Sequence, residues 1–317
     1  VTTAKSKNSS QTKAVPKRSA SHTYTLNAHQ GDRLRDLCQR QGFEFFDLEY
    51  GFFSARKGKC SVSYYHSGKV VIQGKDAGEF IQFHFEPQIT GEARLGYEEI
   101  WEPEMFQPHF GIDEAGKGDF FGPLVIAGTY VEDATTRKLL EAGIRDSKRV
   151  SSDARVKDLA DQVRQIIGDK WSVVSIGPSR YNDLYQSMGN LNRLLAWGHG
   201  QVLSNLSTKV PECPRALSDQ FAHKSLVERE AARRGFSGVL QQRPKAESDL
   251  AVAAASILAR EAFVSALDRL TQPPLPKGAG APVKQRALEI ARNEGVTRLE
   301  QVSKVHFKTF SEVCRSL

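Results

Sequence analysis

The sequence predicts an α/β protein in two parts, a small α+β unit of short strands followed by a larger α/β domain. Three observations carry this expectation. From about residue 108 onward, apolar runs of strand length alternate with helix-length segments, the pattern of a sheet flanked by helices. Upstream, short strand-like runs lie close together with a helical segment at either end. Between the two, Pro87, Gly91, Gly96, Pro103 and Pro108 punctuate an acid-containing stretch that reads as a linker. The expected boundaries are a tail at 1–22, the small unit at 23–87, the linker at 88–107 and the large domain at 108–317.

Composition narrows the classes. A chain of 317 residues, 39% of them hydrophobic, can bury two cores of ordinary size. No run reaches the roughly 18 consecutive apolar residues of a membrane span, and the basic N-terminal stretch lacks the apolar segment of a secretory signal. A soluble protein without a membrane partner is expected. Cys38, Cys60, Cys213 and Cys314 are scattered, with no C-x-x-C pair and no histidines at zinc-ligand spacing, which fits a reducing cytoplasm. Forty-four Lys and Arg against 37 Asp and Glu give a net charge of +7, which favours a polyanionic partner without requiring one.

The elements follow in order. Residues 1–22 combine Ser, Thr, Lys, Asn and Pro with no acids, a composition that predicts a disordered basic tail. Leu34, Leu37 and Cys38 share a helix face, and Gly42 is placed as its stop. Strands are expected at 43–47, 51–56, 60–65 and 69–73, with His66-Ser67-Gly68 joining the last two. A helix at 77–85 would bury Phe80, Ile81 and either His84 or Phe85. Arg56, Lys57, Lys59, Tyr64, Tyr65, His66, Lys69 and Lys75 interleave cations and rings here. Such residues suit phosphate contact and base stacking, while any single ring is more simply read as filling a small core.

In the large domain, strands are expected at 109–114, 121–131, 171–176, 215–219 and 238–243. Helices are expected at 134–143, 151–168, 178–187, 190–208, 223–234, 249–270, 283–294 and 298–302. Ser248 is placed to cap 249–270, and Ala251, Ala253, Ala254, Ala255 and Ala259 make that helix thin enough to pack closely on a sheet. Prolines and glycines mark 271–282 as a loop.

Asp113 and Glu114 stand at the carboxyl end of the first large-domain strand, where open α/β sheets place ligands. Neighbouring strand residues point to opposite faces, so both acids reach one metal only if the chain leaves regular geometry near Ala115 and Gly116. Asp219 also ends a short strand. Glu247 opens a helix, with Asp249 as its competitor. Several carboxylates without a histidine pair suit hard divalent cations, and two such ions can activate water and stabilise a leaving oxygen at phosphorus. Gly116-Lys117-Gly118 is not a nucleotide-triphosphate loop, but its missing Cβ atoms let backbone approach a sugar.

At these residues the sequence resembles the bacterial type 2 ribonucleases H, their HIII branch in particular. IDEAGKGDFFGPLVIAG looks like the first catalytic motif, Asp146-Ser147-Lys148 like the Asp-Ser-Lys turn, and Ser218-Asp219-Gln220-Phe221 carries the third acid. Lys245-Ala246-Glu247, before AVAAASILAR, occupies the place of the fourth. The resemblance implies an RNase H-like mixed sheet flanked by helices, preceded by a TATA-binding-protein-like domain that grips substrate. It implies cleavage of the RNA strand of RNA/DNA hybrids, with Mg²⁺ or Mn²⁺ held by Asp113, Glu114, Asp219 and Glu247. Gly116, Lys117 and Gly118 would read ribose 2′-hydroxyls, and Ser147 and Lys148 would lie near the substrate backbone. A monomer is expected. The sequence departs from the family pattern at Arg149 and Val150, where a leucine often follows the Asp-Ser-Lys turn, and at Glu247, an aspartate in the HII branch.

Overall fold

Period-two burial sets the first sheet, and the computed structural model, which describes residues 20–92, 98–144, 152–221, 224–244 and 246–317, divides into units Val1–Trp101 and Glu102–Leu317. In the first unit β1 (Ala20–Thr25) precedes α1 (Ala28–Arg40), which Asn27 and Gln30 start with a reciprocal capping box. Next come β2 (Glu44–Phe46), β3 (Gly51–Lys57), β4 (Cys60–Tyr65) and β5 (Lys69–Gly74), and the antiparallel order is β1-β5-β4-β3-β2. Cys60, Val62 and Tyr64 of β4 face inward and share a core with Leu34, Leu37 and Cys38 of α1. After α2 (Ala77–Phe80) the chain continues as a π-helical segment, Ile81–Thr90, before α3 (Glu98–Trp101).

Two expectations change here, and two open alternatives are resolved. The first strand begins at Ala20, inside the expected tail, because Tyr24 pairs with Val70 of β5, a partner about 45 residues away that local pattern does not disclose. The helical run reaches Thr90 instead of stopping at 85, and Pro87 is accommodated inside the π-helical segment. Phe85 is buried, not His84. Tyr64, for which the sequence leaves a core role and a nucleic-acid-facing role both open, lies in the core: its parity matches Val62, and Gly31 of α1 makes room where a Cβ would sit 2.3 Å from the phenol oxygen. Phe46, Tyr50, Phe52 and Phe83 are exposed, with the Arg56 guanidinium 5.2 Å from the Phe46 ring.

In the second unit a 3-10 turn, Pro103–Phe106, leads into β6 (His109–Ala115). There follow β7 (Leu124–Val131), α4 (Asp133–Glu141), α5 (Asp153–Ile167), β8 (Trp171–Ile176), α6 (Pro178–Met188) and α7 (Leu191–Ser207). The chain continues through β9 (Arg215–Asp219), α8 (Lys224–Arg233), β10 (Val239–Arg243), a 3-10 turn at Ala246–Ser248 and α9 (Leu250–Leu270). It closes with α10 (Ala281–Glu294), α11 (Val296–Val302) and α12 (Lys308–Arg315). The sheet is mixed, ordered β10-β9-β6-β7-β8: β6 runs antiparallel to β7 and parallel to β9, which in turn is parallel to β10.

Both faces of this sheet are covered. α9, with α5 and the C-terminal helices, packs a core on one face, and α6, α7 and α8 pack the other. Ala251, Ala253, Ala254, Ala255 and Ala259 of α9 are all buried, and the helix lies so close to β6 that a Cβ on Gly111 would sit 2.2 Å from the Ala251 carbonyl carbon. α9 is long and apolar enough to cross a membrane, but most of it is buried inside the protein. Its cap is Asp249, not Ser248: the Asp249 carboxylate accepts from Ala251 N at 2.8 Å and Val252 N at 3.3 Å, while Ser248 belongs to the preceding turn. α12, beyond the last expected helix, sets Phe310, Val313 and Cys314 at helical spacing and buries Thr309 and Val313.

Candidate active site

β6 keeps its pairing with β7 through Ala115, so Asp113 and Glu114 remain on regular strand and their side chains diverge. The expected departure comes one residue later, at Gly116, whose φ of +85° and lack of a Cβ 2.2 Å from Pro123 O only glycine satisfies cheaply. Glu114 meets α7, where His199 Nε2 lies 3.4 Å from its Oε2. Asp113 Oδ1 accepts a hydrogen bond from Glu114 N at 2.9 Å. Burial and the Glu114 charge push the Asp113 carboxyl up to about 6, against the opposing help of Ser256 on α9. Burial also works against an ionised Glu114, but His199 and the Lys117 ammonium, 3.6 Å away, outweigh it and hold that carboxyl below its usual range.

The neighbouring strand brings the next acid alongside. Phe110, Gly111 and Ile112 pair with Ala216, Leu217 and Ser218, and the next residues along are Asp113 and Asp219. Asp219 Oδ1 accepts from Ala246 N at 3.3 Å, which ties β9 to the turn carrying the half-buried Glu247. Asp249 belongs elsewhere. It caps α9 and contacts His109 Nε2 at 3.0 Å, at the opposite end of β6, about 13 Å of strand from Asp113.

Among the described residues, no three His, Cys, Asp or Glu side chains converge as a ready set of metal ligands. The donor chemistry nonetheless suits a hard divalent cation. The acids offer oxygen only, the repulsion that raises Asp113 is what a cation relieves, and such ions leave remaining positions to water and substrate. Ser147, Lys148 and Lys245 lie outside the described residues.

Two participants had no sequence signal beyond their residue type. His199 is fully buried, and neither ring nitrogen has a hydrogen-bond partner among the described residues. Its ring lies 4.6 Å from that of Phe221, which Lys117 Nζ approaches at 5.9 Å. Lys304 is also fully buried, and Nζ donates to the carbonyls of Asp119 and Gly122, each at 2.8 Å, fastening the loop after Gly118. Burial pushes its ammonium down to about 7, with Asp119 opposing. A Cβ on Gly118 would meet nothing within 4 Å, so that backbone faces open space.

Residues 110–310 match the family model described as ribonuclease HII. The chain belongs to the type 2 ribonuclease H family. Within this family it is 40% identical over 292 residues to the ribonuclease HIII of Protochlamydia amoebophila, covering 91% of this chain and 95% of that one. With ribonuclease HIII of Chlamydia pneumoniae it shares 41% identity over 295 residues, covering 92% and 97%. Residues 48–92 match a domain of unknown function, DUF3378. Bst-RNase HIII, solved in complex with Mn²⁺, superposes with a TM-score of 0.63 at 26% identity, covering 94% of this chain and 99% of that one. The fold extends to ribonuclease H2 from Pyrococcus horikoshii OT3, at a TM-score of 0.57 and 20% identity over 66% of this chain and 98% of that one.

Proposed function

We infer that the chain is an endoribonuclease that hydrolyses the RNA strand of RNA/DNA hybrids with the aid of magnesium or manganese, leaving 3′-hydroxyl and 5′-phosphate ends. One observation carries this reading: Asp113 and Glu114 end β6 beside the end of β9, where Asp219 is tied to the turn of Glu247. These four carboxylates are assigned as the metal-holding set, a reading supported by the Mn²⁺ complex of the similar Bst-RNase HIII. When bound, the metal activates water and offsets charge at phosphorus.

The protein's own groups prepare that chemistry. His199 and Lys117 keep Glu114 ionised, while Asp113, with its carboxyl near 6, is mostly ionised at neutral pH, so the pair attracts a cation strongly. The open space at Gly118 allows backbone to approach a ribose, and Gly116, Lys117 and Gly118 are assigned as readers of the 2′-hydroxyl, the group that separates RNA from DNA. Ser147 and Lys148 are assigned to the substrate backbone. The exposed rings and the cations Arg56, Lys57 and Lys69 of the first unit support a role for it in gripping the hybrid. The four cysteines are free, which supports a reducing cytoplasm, and a monomer is assigned there.

The assignment is tested with Asp219→Asn on a uniform RNA/DNA hybrid. Cleavage is expected to fall at least about 1,000-fold, roughly 4 kcal/mol of barrier, with hybrid affinity largely retained. Full activity in that variant would remove the metal-site assignment.

A further inference from the structure

An open cavity of about 460 Å³ lies between the starts of α10 and α12, lined by Ala281, Lys284, Phe307, Lys308, Thr309 and Glu312 among others. Both helices begin there without a side-chain cap, because Gly280 and Phe307 hold the N-cap positions and neither supplies an oxygen. Helix starts leave backbone N–H groups without intrahelical partners and carry the positive end of the helix dipole. Pro282 removes one such donor from α10, so the α12 start is the better furnished. Its first backbone bond runs from Phe310 N to Phe307 O at 3.0 Å, which leaves the amides of Lys308 and Thr309 outside the helical ladder.

A second observation points to a ligand. Thr309 is only 9% exposed and lines the cavity, yet its hydroxyl has no hydrogen-bond partner among the described residues. Its oxygen is not among the fully enclosed unpaired atoms, so the hydroxyl stays accessible beside the cavity that the residue lines. The charge also has the right sign. Glu312 is bonded by Lys284 at 2.7 Å and held below its usual range first by Lys284, then by Arg315 and Lys308, so three cations face one carboxylate. The cavity backs onto the loop that follows the Gly116 to Gly118 turn. Asp119 Oδ1 accepts from Gly278 N at 2.6 Å, Phe120 N donates to Gly278 O at 2.9 Å, and the Phe120 and Phe307 rings meet edge to face at 6.0 Å.

We propose that this cavity is a phosphate subsite that takes one backbone phosphate of the nucleic-acid substrate on the first amides of α12, the Thr309 hydroxyl and the Lys308 ammonium. A phosphate suits it because its several oxygens can accept from amide, hydroxyl and ammonium donors at once, and because backbone N–H groups at helix starts are a common phosphate contact. The proposal rests on the hybrid being the substrate, and it extends that reading to a contact beside the ribose-reading turn.

The test uses the full chain with Thr309→Val, Thr309→Ser and Lys308→Gln. Hybrid affinity is measured without divalent metal over a range of salt concentrations, and inorganic phosphate is titrated separately while following the Thr309 and Lys308 amide resonances. Thr309→Val is expected to weaken hybrid binding about fivefold and Thr309→Ser to retain it, which separates a lost hydroxyl from a lost fold. Lys308→Gln is expected to reduce the slope of log affinity against log salt by about one, the effect of one phosphate contact. Inorganic phosphate should shift both resonances in the wild type and do so more weakly in Thr309→Val. Unchanged affinity and slope in both variants would overturn the subsite, whether or not free phosphate binds. A wild type that binds phosphate but no hybrid would overturn the substrate reading and with it this use of the cavity, whereas loss of the phosphate response alone would strike only the subsite.

Discussion

Each end of β6 has an acid and a histidine near it, and the two are built on opposite principles. At the start of the strand, Asp249 is buried but accepts from Ala251 N, Val252 N and His109, and these partners outweigh its burial and hold its carboxyl below the usual range. At the far end, Asp113 has burial and the Glu114 charge against it, and its carboxyl is pushed up to about 6. The nearby His199 faces Glu114 instead, at 3.4 Å, and is the least of the groups that lower Asp113. An acid whose lone pairs are satisfied within the fold stabilises it. An acid held against its own ionisation is available to something that arrives later.

This contrast predicts opposite signs for two substitutions. Asp113→Asn should lower hybrid cleavage at least about 1,000-fold, measured in single turnover. In metal-free protein the same change should raise stability at neutral pH by about 1 to 3 kcal/mol, measured by denaturant unfolding. The sign follows from linkage. A carboxyl raised from 3.8 to about 6 binds more protons folded than unfolded in that interval, so stability falls as pH rises through it, and the variant escapes that loss. A stability unchanged by Asp113→Asn at pH 7 and pH 4 would break the contrast.

At the other end, Asp249→Ala should lower stability by about 3 to 5 kcal/mol by stranding His109 and uncapping α9. The wild-type contribution is present above the unfolded carboxyl value, near 3.8, and is lost as pH falls through the depressed folded value. Cleavage by the fraction that remains folded should persist. Loss of cleavage in a folded Asp249→Ala would move this acid into the chemistry.

Lys304 sharpens the comparison with the smallest effect. It is hydrogen-bonded like Asp249 yet shifted against its charge like Asp113, because neutral carbonyls only partly replace water. Between about 7 and 10.5 the unfolded chain holds more of its proton, so its contribution to stability should rise with pH by at most about 1.4 kcal/mol per unit. Lys304→Met should flatten that rise in a stability profile from pH 7 to 10; an unaltered profile would show the lysine to be ionised throughout.

Much of this was legible along the chain. Asp113, Glu114 and Asp219 could be placed at strand ends because apolar residues precede them, and the alanines of α9 announced a helix packed close to a sheet. The cap of α9 was misread by one residue, since Ser248 and Asp249 are both good caps and only the His109 contact distinguishes them. Tyr64 was readable as a ring that could fill the core, but which of the rings would do so was not, because the space it fills is made by Gly31 on another element. His199 and Lys304 gave no sign of their positions, since a histidine or lysine in a mixed segment is usually solvated.

By itself the sequence determined the composition of the site, the period of each long element, and the glycine that must turn the chain after β6. These are local properties, fixed by side-chain chemistry and by the backbone freedom of single residues. Only the tertiary structure decided that Asp219 lies beside Asp113, that Asp249 belongs to the opposite end of β6, and that His199 and Lys304 are enclosed. Those outcomes depend on strand register and on packing between segments up to about 200 residues apart, where desolvation and proximity, rather than residue type, set what a charged group does.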